Sequence, residues 1–111
     1  MNFEEFKTEL HSFKKEKKQE KLTKSEIYAL RAKFLEEGTE CGKCGRKENL
    51  TVDHIVPVSL LEQLGIYIDQ DPNECENWQI LCFPCNQYKK GRLDFTHPKT
   101  KPLLLKYIGK L

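Results

Sequence analysis

The sequence predicts an α+β fold, in which two N-terminal helices precede a small unit of two strands and one helix. Three observations point there. Residues 1–37 carry two stretches of helical periodicity, two short strand-like runs follow around Leu50 and Trp78, and two Cys-x-x-Cys pairs, Cys41/Cys44 and Cys82/Cys85, bracket those runs. A chain of 111 residues is one domain by size and buries a modest share of its surface, so a staple is expected.

Phe3, Phe6, Leu10 and Phe13 recur at helical spacing, and Asn2 can cap with Glu5 three positions on, which predicts an amphipathic first helix. Its continuation, Lys14 to Lys21, has no apolar stripe and is expected to extend into solvent. Thr23-Lys-Ser-Glu26 reads as a capping box opening a second helix, with Ile27, Leu30, Phe34 and the stem of Arg31 on one face and Gly38 closing it. The aromatic side chains at these spacings read as core contacts. Leu50-Thr-Val predicts a short strand with Asp53 and His54 at its end, and Pro57 stops the pairing. Ser59 to Leu64 suggests a short helix ending at Gly65, Asp69 to Asn73 a turn-rich loop, and Trp78 to Leu81 a returning strand or turn. Asn86 to Gly91 predicts a short helix carrying Lys89 and Lys90. After Pro98 and Pro102, the apolar run Leu103 to Ile108 fits a helix or a strand.

Four thiolates on two tight turns match the closed tetrahedral site of a structural zinc, with sulfurs about 2.3 Å from the metal and no position left for substrate. Such sites contribute on the order of 10–16 kcal/mol of apparent binding energy that is largely folding energy, so zinc is expected to be a condition of folding. The fifth cysteine, Cys75, falls outside both pairs and reads as a bystander thiol. The N-terminus lacks a signal pattern, and no apolar run approaches the roughly 20 residues that span a bilayer. A soluble, cytoplasmic protein is therefore expected, where paired cysteines favour metal over disulfides.

The formal net charge of +2 conceals an asymmetry. Local balances are +1 over residues 1–37, −5 over 38–85 and +6 over 86–111. A basic tail beginning at the last cysteine is what a phosphate-binding surface looks like.

Cys41-x-x-Cys44, Leu50-Thr-Val-Asp-His-Ile-Val-Pro57, Glu76-Asn-Trp-Gln-Ile-Leu81 and Cys82-x-x-Cys85-Asn-Gln-Tyr-Lys-Lys90 occur in that order. Together they resemble an HNH endonuclease of the ββα-metal (His-Me finger) superfamily, in its zinc-framed, four-cysteine form. The resemblance implies three regions: an N-terminal helical extension packed on the core (1–37), the ββα-metal nuclease core with its structural zinc (38–95), and a basic C-terminal segment (96–111). Its last motif position is Asn86 where the family name implies histidine, and asparagine is similar to what many zinc-framed members carry.

Hydrolysing a phosphodiester requires a deprotonated water in line with the leaving oxygen and positive charge near the phosphoryl group. His54 suits the first role, because histidine titrates near neutrality and can accept a proton from water. Asp53 offers a hard carboxylate oxygen and Asn86 a neutral carbonyl oxygen for a divalent cation, Mg2+ or another. Adjacent residues on a regular strand point to opposite faces; the resemblance implies that Asp53 and His54 sit at a strand end and bend, on either side of the scissile phosphate. It also implies that Asn77 holds the active-site loop and orients the histidine ring. Lys89, Lys90 and Arg92 follow a metal ligand closely and are candidate phosphate contacts, which position DNA without reading its sequence. His11 and His97 read as bystanders.

The expected function is a metal-dependent DNA endonuclease or nickase, of phage or mobile-element type among other settings, leaving 5′-phosphate and 3′-hydroxyl ends as the family implies. One site cuts one strand, so monomer and homodimer both stay open. A noncatalytic zinc-finger module binding nucleic acid or protein is the alternative. A CxxC oxidoreductase fits poorly, because the pairs are far apart and lack a thioredoxin-like strand–helix context.

Overall fold

The computed structural model describes residues 1–16, 22–66 and 72–109. Among them run α1 (Phe3–Glu16), α2 (Lys24–Glu36), β1 (Leu50–His54), α3 (Val58–Gln63), a 3-10 helix (Pro72–Asn77), β2 (Trp78–Cys82), α4 (Phe83–Lys89) and α5 (Thr100–Ile108). The predicted α+β class holds: helices surround a two-stranded antiparallel sheet, and four cysteines gather beside it. None of the described helices is long and apolar enough to cross a membrane.

The caps written into the sequence form as expected. Asn2 Oδ1 accepts from the Glu5 N–H at 2.8 Å, and the Thr23 capping box closes with Glu26 N–H to Thr23 Oγ1 at 3.2 Å and Thr23 N–H to Glu26 Oε1 at 2.8 Å. Such caps satisfy amides that have no partner inside the helix. The end of α1 departs from expectation. Phe13 is 49% exposed, whereas Lys14, expected in solvent, is buried with its Nζ 2.6 Å from the Glu26 carboxylate. The capping box holds that carboxylate still, and the lysine follows its charge inward, tying the end of α1 to the start of α2. Residues 17–21, the rest of the expected solvated continuation, lie outside the described residues, as do positions 69–71 of the expected loop.

In the sheet, Asp53 pairs with Gln79 and His54 with Trp78. Strand alternation then gives the two faces different tasks. Val52 and Trp78 join Phe3, Leu22, Leu30, Phe34 and Cys75 in one apolar cluster, in which Phe34 meets Phe3 and Trp78 edge-on at 5.2 and 5.7 Å between ring centroids. The expected bystander thiol, Cys75, is thus a buried packing group. Thr51 and Asp53 look the other way, toward α4.

Gly38 closes α2 for a steric reason: a Cβ there would meet Ile80 Cγ1 at 2.9 Å. Gly65 ends α3 at a left-handed φ of 80°, with its N–H to Glu62 O at 2.9 Å and the Ile66 N–H to Leu61 O at 2.8 Å. The expected α4 starts three residues early, at Phe83, with Pro84 in its first turn, where a missing N–H costs nothing. Lys90, not Gly91, is its cap, at φ 45°. The undecided run from Leu103 is helical, and its Leu103 and Tyr107 bury themselves against Ile55, Val56 and Leu61.

Candidate functional site

The first knuckle is a tight loop with its own hydrogen bonds. Cys41 N–H donates to Arg46 O at 2.8 Å and Gly45 N–H to Cys41 O at 2.9 Å, while Gly42 N–H reaches Ile80 O on β2 at 2.9 Å. The second knuckle is the junction of β2 and α4, where Phe83 N–H donates to Asn49 O at 2.7 Å. Their meeting brings all four Sγ atoms, of Cys41, Cys44, Cys82 and Cys85, within 4.8 Å of one another. Sulfurs placed tetrahedrally about 2.3 Å from a zinc lie about 3.8 Å apart, so the arrangement fits a metal such as zinc.

The chemistry of the donors agrees. Burial pushes the Cys41 thiol up, but backbone N–H groups of Cys82, Cys44 and Lys43 outweigh it and draw it down to about 6. Cys85, sharing hydrogen bonds first with Cys82 and also with Cys44 and Cys41, is pushed up to about 12. One thiolate is welcome and a second is resisted, a conflict that a bound divalent cation removes.

Beyond the knuckles, α4 lays Asn86 and Lys89 against β1. These are one turn apart on the helix, and Thr51 and Asp53 are two apart on the strand, so each pair shares a face. Asn86 Nδ2 donates to Thr51 Oγ1 at 3.0 Å, which leaves the amide oxygen as its acceptor end. Asp53 Oδ2 accepts from Gln79 Nε2 at 2.9 Å and lies 3.2 Å from Lys89 Nζ. Lys89 also donates to the His54 carbonyl at 2.8 Å. Its side chain, one of the candidate phosphate contacts, is only 8% exposed and engaged by β1. The lysine is turned in toward the Asp53 carboxylate and the His54 carbonyl, both on β1.

His54 is the last residue of β1, half-buried and paired with Trp78, so strand alternation assigns it the face opposite Asp53 until the bend that follows. Asn77 is fully buried. Its Oδ1 accepts from Val56 N–H at 2.8 Å and its Nδ2 donates to Val56 O at 2.9 Å, while its own carbonyl accepts from Ile55 N–H at 2.7 Å. It clamps the two residues after His54, so any influence on the imidazole runs through the backbone. Lys90 is exposed, and Arg92 Nε donates to Lys89 O at 3.1 Å while Nη2 donates to Tyr88 O. Of the histidines set aside, His11 is exposed on α1, and half-buried His97 borders a cleft beside α4.

Residues 40–92 match the sequence model of the HNH endonuclease family. The chain carries an HNH endonuclease domain. No curated protein and no solved structure matches the chain. Within the HNH domain, sequence reasoning missed Thr51, Gln79 and the inward turn of Lys89. Two of these had a signal: Thr51 lies two residues before Asp53 on a strand, and Lys89 lies three after Asn86 on a helix. Gln79 became legible only with the strand register.

Proposed function

We propose that this chain is a metal-dependent DNA endonuclease or nickase that hydrolyses phosphodiester bonds. What supports the reading most directly is that Asp53 and Asn86 both lie in the β1–α4 contact of an HNH domain, Asn86 on Thr51 and Asp53 beside Lys89. In this reading the Asp53 carboxylate and the Asn86 amide oxygen hold a divalent cation. Both are hard oxygen donors, which suits Mg2+ or a similar ion. When bound, that ion supplies positive charge to the leaving oxygen. His54, just before the bend that Asn77 clamps, takes the proton from the attacking water. Lys89 holds the Asp53 carboxylate in position, and exposed Lys90 with Arg92 steers the DNA backbone. The four cysteines serve the frame.

The ion pair between Asp53 and Lys89 favours a second reading, a noncatalytic zinc-finger module binding nucleic acid or protein, in which the carboxylate serves only the fold. Supercoiled plasmid separates the two. The zinc-loaded protein is incubated with Mg2+, Mn2+, Ni2+ or EDTA, beside His54→Ala. Metal-dependent nicking that falls at least a hundredfold in the variant is expected, since general-base catalysis contributes about 10²–10⁴-fold. Nicks that ligase reseals would carry the 5′-phosphate and 3′-hydroxyl ends. Unchanged nicking in His54→Ala removes that residue as base, and no nicking with any metal leaves the binding module.

A further inference from the structure

Tyr88 is 77% exposed, more than any other large apolar or aromatic side chain among the described residues. It is nevertheless not a loose ring. The Arg92 guanidinium lies 5.3 Å from its centroid, and that guanidinium is itself held by the carbonyls of Lys89 and Tyr88. Those carbonyls belong to the last turn of α4, the negative end of the helix, which favours a cation there. One side of the ring is backed by a pinned charge and most of the remainder faces water. The ring borders a cleft of about 640 Å³ that also exposes Lys43, His97 and Pro84. Gln79 and Lys89, which touch Asp53, line the same cleft, so the tyrosine and the neighbours of the candidate metal carboxylate share it.

The volume lies in the range of small-ligand sites, roughly 300–1,000 Å³; in its lining Lys43 is paired with Asp94 at 2.7 Å and Lys89 with Asp53 at 3.2 Å, so the charge offered beside the ring is the Arg92 guanidinium. A flat π-face beside a guanidinium suits a nucleotide. Inside a duplex, bases offer protein only their edges in the grooves; a ring face can be met only by a base that has left the stack. We propose that Tyr88 and Arg92 form a stacking platform for an unpaired nucleobase, and that the preferred substrate is DNA with single-stranded or bulged character next to the cut. This rests on the nuclease reading for the position of the cut, and not for the binding itself.

The test is fluorescence anisotropy with full-length, zinc-loaded His54→Ala protein and no added catalytic metal. Probes are a single-stranded DNA oligonucleotide, its perfect duplex, the same duplex with a central three-nucleotide bulge, and an RNA of the same sequence. Single-stranded and bulged DNA are expected to bind about tenfold tighter than perfect duplex, and Tyr88→Ala is expected to abolish about tenfold of that preference, the scale of one base–aromatic stack. Tyr88→Phe, which keeps the ring, should retain it. Equal affinity for duplex and unpaired DNA overturns the proposal, as does an equal loss on every probe in Tyr88→Ala, and RNA bound tighter than DNA overturns the choice of substrate. Because no cleavage is read, failure of the nuclease reading would show in the plasmid experiment and leave this one standing.

Discussion

Both ends of the Asn77 side chain are engaged by Val56, in a place from which water is excluded. Asn77→Ala would strand a buried N–H and a buried carbonyl, each costing about 1–3 kcal/mol. We expect urea unfolding to show stability lowered by about 2–6 kcal/mol with zinc still bound, and nicking reduced in the surviving folded protein through the loosened bend after His54. His97 presents a different sensitivity. Burial, then Lys99 and Lys89, hold its imidazole below the ordinary 6.5, against the opposing pull of Asp94. Its Nδ1 also accepts from the Lys99 N–H at 3.0 Å, a bond that protonation removes. The folded state therefore binds this proton less readily than the unfolded chain does, so stability is intact above about 6.5 and declines as pH falls through that value. Urea midpoints measured at pH 7.5 and 5.5 should show a smaller drop for His97→Gln than for the wild type; equal drops would clear His97 of the effect.

The packing of α2 against β2 depends on one missing methyl group. A Cβ on Gly38 would sit 2.9 Å from Ile80 Cγ1 and 3.0 Å from Cδ1, closer than packed carbons approach. Gly38→Ala is expected to cost about 1–3 kcal/mol, the range for overpacking, and to cost clearly less in an Ile80→Ala background. Thermal or urea melts of the four proteins give the coupling; additive losses would mean that strain arises elsewhere. Elements whose signals are local were legible in the sequence. Asn2, Thr23 with Glu26, and Gly65 specify their helix ends through neighbours three or four residues away, and both strands formed where β-branched and aromatic residues cluster. What escaped depends on distant partners. Lys14 found Glu26, Lys89 found β1, and the run at Leu103 became a helix through burial of Tyr107, none of which a local window contains. The site divides the same way: cysteine spacing announces its own chemistry, whereas the contacts of Asn86 with Thr51 and of Lys89 with Asp53 exist only once α4 is laid on β1.

At the scale of the molecule, the four-cysteine centre joins the turn after α2 to the junction of β2 and α4. Helix α4 has no side-chain cap at its N-terminus, where Cys82 stands, so its start is held by the knuckle. Metal removal is therefore expected to release α4 together with Asn86, Lys89 and Tyr88, abolishing any nicking along with cooperative unfolding. With free zinc above its dissociation constant, each tenfold rise should add about 1.4 kcal/mol of stability, read as a rising melting temperature; Cys82→Ser should lose that dependence. The packing of α5 has a consequence for anyone who would move this unit into another protein. Residues 40–92 carry the family match, yet Leu103 and Tyr107 lie beyond it and complete the cluster of Ile55, Val56 and Leu61. A graft trimmed at residue 92 would expose the bend that follows His54 to water from behind. The smallest transplantable piece on that side extends through Ile108, and the C-terminal helix would travel with it as the floor of the bend.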